Sequence, residues 1–174
     1  GHQAAKNSGA DVVHFSWLEG LCDHACFEIS PFVSYAQYWI TTGAIVPSFG
    51  GCQVSFGAAA NPGLGSITIT ADGRAQLAFH QRASVPGVQA AWEFDFQYPD
   101  SCRFAYEPLS DTSLGDVLWP RIEVQQNVAG SDVFHVVALD TNGGPVGRVL
   151  YWRFADTAWE GPVAIDSTDI HGYV

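Results

Sequence analysis

The feature that most constrains this chain is that part of it is written more than once. Gly9-Ala10-Asp11-Val12-Val13-His14-Phe15-Ser16-Trp17-Leu18-Glu19 aligns without gaps on Gly130-Ser131-Asp132-Val133-Phe134-His135-Val136-Val137-Ala138-Leu139-Asp140, with Gly, Asp, Val, His and Leu identical. Between the two lies Asp72-Gly73-Arg74-Ala75-Gln76-Leu77-Ala78-Phe79-His80-Gln81, so the leading Asp recurs at nearly even intervals, at positions 11, 72 and 132. A second motif keeps step: Cys52-Gln53-Val54-Ser55-Phe56 resembles Cys102-Arg103-Phe104-Ala105-Tyr106. Each precedes a turn-rich stretch holding Leu-Gly (Leu64-Gly65 and Leu114-Gly115) and then an apolar strand. Self-similarity at a fixed period marks an architecture in which no unit buries its own faces and neighbours must stack.

Each repeat reads as four strands. In the third, strands are expected at 121–124, 133–139, 148–154 and 159–165. The second of these is a nearly continuous apolar run, as for a strand buried on both faces. Thr141-Asn142-Gly143-Gly144 after it is a hairpin signal. In the second repeat the strands fall near 66–70, 74–81, 88–95 and 102–106. In the first they fall near 2–6, 11–18, 35–42 and 51–56, with a long loop between the second and third. Eleven Phe, six Tyr and six Trp favour pleated surfaces, and 18 Gly with 9 Pro suit many short turns. No stretch reads as an amphipathic helix. The expected fold class is all-β: a β-propeller segment of about three four-stranded antiparallel blades, at 1–60, 61–110 and 111–174. A β-sandwich is the alternative.

Charge narrows the function. A formal net charge of −11 with only seven Lys and Arg argues against nucleic acid, which needs clustered cations, and against anionic membrane surfaces. No apolar run is long enough to span a bilayer as a helix. Four cysteines in an aromatic, acidic, lysine-poor chain suit a secreted or cell-surface protein with disulfides. The chain contains no Met, so it reads as a processed or truncated product. Three blades expose two apolar faces, and closed propellers use four to eight. The expected partners are therefore the remaining blades of a longer protein or a second copy.

The run Trp119-Pro120-Arg121-Ile122, Phe134-His135-Val136-Val137, Leu150-Tyr151-Trp152-Arg153 and Trp159-Glu160-Gly161-Pro162-Val163-Ala164-Ile165 resembles one blade of a sialidase-like propeller of the secreted bacterial type. That family often carries an Asp box, Ser-x-Asp-x-Gly-x-x-Trp, in the turn before the fourth strand. Here the turn is Phe154-Ala155-Asp156-Thr157-Ala158-Trp159, a degenerate version with shorter spacing and no Gly. The resemblance implies the propeller fold. For catalysis it would also imply an arginine cluster, a Tyr–Glu pair and a general acid. Arg74, Arg82, Arg103, Arg121, Arg148 and Arg153 do not form that set.

Three groups of residues invite a chemical reading. Cys22, His24 and Cys26 would share one face of an extended segment. They read as a zinc site with Cys52 as fourth ligand, or as a short Cys22–Cys26 disulfide pinning the first-repeat loop. The spacing matches no standard zinc motif, so the disulfide is expected and a metal is not. His14 and His135 occupy equivalent repeat positions, and repetition implies an architectural role. The third group lies where strand ends meet one mouth of a propeller: Trp17, Glu19, His80, Gln81, Arg82, Trp119, Arg121 and Asp140. These supply stacking surfaces, donors and acceptors suited to a glycan or peptide. Glu93 and Asp95 are neighbouring acids on one strand face, but nothing marks them as catalytic. No serine elbow, phosphate loop or nucleotide fingerprint is present, so no cofactor is expected. The expectation is a non-catalytic extracellular binding or scaffolding module, with glycans among its ligands. The alternatives are a fragment of a sialidase-like glycan-active enzyme and a self-assembling structural protein.

Overall fold

A computed structural model describes residues 2–6, 11–19, 32–46, 52–54, 62–81, 87–97, 101–110, 117–128, 131–140, 146–155 and 157–169. They are all-β, with no helix among them. The first sheet holds β1 (His2–Ala5), β2 (Val12–Glu19), β3 (Phe32–Trp39), β4 (Ala44–Val46) and β5 (Cys52–Gln53). The second holds β6 (Pro62–Ile69), β7 (Ala75–Gln81), β8 (Gly87–Gln97) and β9 (Ser101–Pro108). The third holds β10 (Val117–Val128), β11 (Ser131–Asp140), β12 (Val146–Ala155) and β13 (Ala158–Asp169). Every pairing is antiparallel; the strands of the second and third sheets lie side by side in chain order, as do β1 to β4 of the first, while β5 pairs with β3. This is the layout expected from sequence, as a propeller segment or as stacked sheets of a sandwich.

Strand alternation gives each sheet two faces, and the apolar residues divide accordingly. One cluster joins Val33, Tyr35 and Val54 of the first sheet and its margin to Ile67, Ile69, Ala75, Leu77, Phe79 and Phe104 of the second. The other joins Ala78, Val88 and Leu109 to Val117, Ile122, Phe134, Val136, Ala138, Leu150 and Trp152 of the third. Odd and even residues of β7 therefore serve different cores: Leu77 and Phe79 face the first sheet, Ala78 the third. We call the side of a sheet turned toward the next one its leading face and the opposite side its trailing face. β6 packs on β1, β2 and β3, and β10 on β6, β7 and β8. The first strand of each sheet thus mediates stacking on the one before.

Three details depart from the sequence reading. The expected third strand of the first repeat, 35–42, ends early at Trp39 because 40–43 turn back into an unexpected strand, β4. Gly43 takes a left-handed φ of 68°, its N–H donates to the Trp39 carbonyl at 2.8 Å, and the Thr41 N–H donates to Asp11 Oδ1 at 2.9 Å. β4 and β5 then both pair with β3. Gly65 is not a turn residue. It lies buried in β6 at a register shift, and a Cβ there would sit 1.4 Å from the Ala78 carbonyl oxygen, so glycine is required by close backbone approach. Finally, the β8–β9 register shifts between Glu93 and Asp95; the side chains of both acids lie outside the described residues.

The recurring Asp lies at the hairpin end of each sheet but does a different job in each. Asp11 precedes β2 and caps the 40–43 turn. Asp72 sits in the β6–β7 turn, bound to Thr70 Oγ1. Asp132, inside β11, accepts the Ala71 N–H at 2.7 Å and so ties the third sheet to the hairpin of the second.

Candidate functional site

A meander places the end of its second strand and the start of its first and third at the same pole. The candidate residues therefore converge by topology. His80 pairs with Gly63 and Val88, and Gln81 with Pro62 and Gly87. Asp140 pairs with Val117 on one side and Arg148 on the other. His80 shares the leading face of the second sheet with Ala78, while Asp140 shares the trailing face of the third with Phe134, Val136 and Ala138. His80 and Asp140 thus lie at one end of facing sheets. Trp17 does not join them: it alternates with buried Ser16 and lies on the trailing face of the first sheet. Glu19 and Gln81 end their strands at this pole; their side chains, and Arg82, Cys22 and Cys26, lie outside the described residues.

Trp119 is the most unusual residue of the group. It follows the Leu118–Leu139 pair and precedes the Arg121–Val137 pair, so two residues oppose one in a β-bulge. Its φ is 52°, and among the described residues no other non-glycine residue has a positive φ. A left-handed backbone costs a bulky residue about 1–2 kcal/mol. Yet the indole is 60% exposed, so packing does not compensate. Strain held at an exposed aromatic is the pattern of a functional position.

Arg121, two residues on, donates from Nη1 to the carbonyls of Gly65 and Pro120, both at 3.3 Å. The Ile122 N–H donates to Ser66 Oγ at 2.5 Å. The close approach of Gly65 to β7 thus helps set where β10, and with it Trp119, enters the rim.

Asp140 turns out not to be an accessible acceptor. It is 1% exposed, and Oδ2 accepts a charge-assisted bond from Arg148 Nε at 2.7 Å. A buried carboxylate needs such a partner. The accessible group of the pair is Arg148, whose side chain is 43% exposed. Sequence reasoning passed over Arg148. The turn signal at 141–144 would set Pro145 opposite Asp140, whereas the sheet sets Arg148 there.

The two repeat histidines are architectural, as their repetition implies. The His14 ring contacts Tyr35 Oη through Nδ1 at 2.7 Å, and Gln37 Nε2 donates to the same hydroxyl at 3.0 Å. Burial lowers the His14 pKa to about 4, because an imidazolium there would lose its hydration. His135 makes the same contact with Tyr151 Oη, also at 2.7 Å.

Cys52 is disulfide-bonded, so its sulfur is no thiolate ligand and the zinc reading loses its fourth member. The Cys22–Cys26 pairing lies outside the described residues. Among the described residues no group of His, Cys, Asp and Glu could hold a metal ion, and no helix is long and apolar enough to cross a membrane.

No family profile and no curated protein matches the sequence. The fold does match solved structures. An ulvan lyase, described as a new family of polysaccharide lyase, PL25, and bound to -[GlcA(1-4)Rha3S]-, superposes with a TM-score of 0.62 at 10% identity. A second structure of a PL25 ulvan lyase superposes with a TM-score of 0.61 at 10% identity. Each alignment covers 97% of this chain and 42% of the other, so the chain spans less than half the length of the structures it resembles. At this identity the likeness concerns the fold alone. The sialidase-like resemblance finds no counterpart among these matches.

Proposed function

We propose that this chain is a β-propeller segment of an extracellular protein that recognises glycans at the pole where Trp119, Arg121 and Arg148 lie. The observation that carries the reading is Trp119: an indole more than half exposed, at a bulge, on a backbone conformation that disfavours it. Such a ring offers a flat apolar surface to a sugar ring. Arg121 and Arg148 add guanidinium donors suited to hydroxyl and carboxylate oxygens. Arg148 is held from beneath by buried Asp140, which limits the side-chain entropy lost on binding. The similarity in fold to lyases of an acidic polysaccharide supports the glycan class, and acidic glycans are the first ligands to try despite the chain's net negative charge. Binding to them should weaken with salt. Binding is the proposed role, with bond cleavage as the alternative.

Titration calorimetry with acidic polysaccharides, a glucuronate-containing one first, tests this. Trp119→Ala should weaken binding about tenfold or more, the scale of a lost aromatic anchor. Trp119→Gly should weaken it equally while raising unfolding stability by about 1 kcal/mol as the backbone strain is relieved. Undiminished binding by both variants would remove Trp119 from the site. Chain-shortening of the polysaccharide by the wild-type protein would replace the binding reading with an enzymatic one.

A further inference from the structure

The sheets stack with a fixed polarity, and the two outermost faces inherit it. At both internal junctions a leading face meets a trailing face. The leading face of the first sheet, with His14, Tyr35 and Gln37, is covered by Ile67, Ile69, Leu77 and Phe79 from the trailing face of the second. The third sheet also has a leading face. It carries His135, Val137, Tyr151 and Val163, aligned by the Val137–Tyr151 and Tyr151–Val163 pairs. The His135–Tyr151 bond repeats His14–Tyr35 at the same 2.7 Å and the same strand offset. Yet this face is open: His135 and Tyr151 are only partly buried, and Val163 is 56% and neighbouring Ile165 57% exposed. At the other end of the stack, the trailing face of the first sheet presents Val13, Phe15 and Trp17, partly buried, beside Tyr38 and its exposed partner Ile45.

We propose that a second copy of this chain docks head to tail, the trailing face of its first sheet covering the leading face of the third, so that two copies close a ring of six sheets. The occupant follows from polarity. The free faces are one of each kind, so the chain itself carries both halves of the junction it already makes twice internally. A junction between unlike faces closes when the rotation per sheet brings the last onto the first, and six sheets lie within the range of closed propellers. The proposal is independent of the glycan reading, since its residues lie on sheet faces and not at the rim.

Sedimentation velocity on the whole chain over about 1–100 µM tests it, a range that spans the micromolar association expected of a modest interface. The expected species is a dimer. Val163→Asp with Ile165→Asp on one side, and Ile45→Asp on the other, should each weaken dimerisation at least tenfold. All three positions are exposed, so circular dichroism should show the sheets unchanged. Because the faces are unlike, a mixture of the two variant chains should regain an association that neither shows alone: one wild-type junction survives in the mixed pair. A wild-type monomer throughout, a dimer insensitive to both variants, or an open series of larger species would each overturn the closed head-to-tail pair. So would dimerisation abolished by one variant and untouched by the other.

Discussion

The first and third sheets contain the same device in different surroundings. His14 with Tyr35 and His135 with Tyr151 share residue types, strand positions, offset and bond length. His14 is 3% and Tyr35 0% exposed, because the second sheet lies over them; His135 and Tyr151 are partly open. Within its own sheet each pair is equally well made. What differs is the sheet that follows. A hydrogen bond of this kind is cheap to break at an open face, where water replaces it, and expensive under a covering sheet, where the orphaned group stays dry.

The sharpest way to break the comparison is to delete the tyrosines. Tyr35→Ala should destabilise the protein by about 3–5 kcal/mol, as for a large buried aromatic, since its ring also packs edge-on to Phe104 at 5.2 Å between centroids. In the monomer Tyr151→Ala should cost about 1 kcal/mol, the centre of the range for ordinary substitutions, and more at concentrations where a second copy covers that face. Equal costs in urea unfolding would mean that the third sheet's face is covered as deeply as the first.

Acid should separate the sheets next. His14 has its folded pKa lowered from 6.5 to about 4. Between those values the unfolded chain binds the extra proton, so stability is full above about pH 6.5 and falls as pH drops toward 4. The loss amounts to about 3 kcal/mol at about 1.4 kcal/mol per pK unit. His14→Gln should flatten that part of the stability–pH curve. A curve that keeps its slope in His14→Gln would assign the acid sensitivity elsewhere.

The smallest effect isolates the hydroxyls. Tyr35→Phe leaves the contacts of His14 Nδ1 and Gln37 Nε2 with that hydroxyl unmade in a dry site, at about 1–3 kcal/mol. In the monomer Tyr151→Phe should stay within about 0.5 kcal/mol, because its partner is there open to water. Thermal melts of the two variants, run at one protein concentration, give the difference directly.

Much of the fold was legible before any coordinates. Alternating apolar residues and Gly- or Asn-bearing turns are local signals, so the strands of the second and third sheets and their order could be read, and the repeat showed that the pattern occurs three times; the extra strand β4 and the placing of β5 beside β3 were not legible. The same repetition pointed to an architectural role for His14 and His135, and each bonds a tyrosine of the next strand. The glycines and rim residues were harder. Leu64-Gly65 looked like a turn because glycine marks turns and close approaches alike, and only the position of the Ala78 carbonyl distinguishes them. Asp140 looked like a rim acceptor because a strand end is usually wet; its burial, and the resulting prominence of Arg148, depend on the sheet opposite.

By itself, then, the sequence determined where most strands form and that they join antiparallel into three successive sheets. These follow from chain connectivity and period-two alternation, both local properties. Tertiary structure alone decided which of two identical histidine–tyrosine pairs is dry, which of two charged partners faces water, and where a tryptophan is held in a left-handed bulge. Each of these depends on which sheet face its neighbour covers, a relation between residues some tens of positions apart that no local pattern encodes.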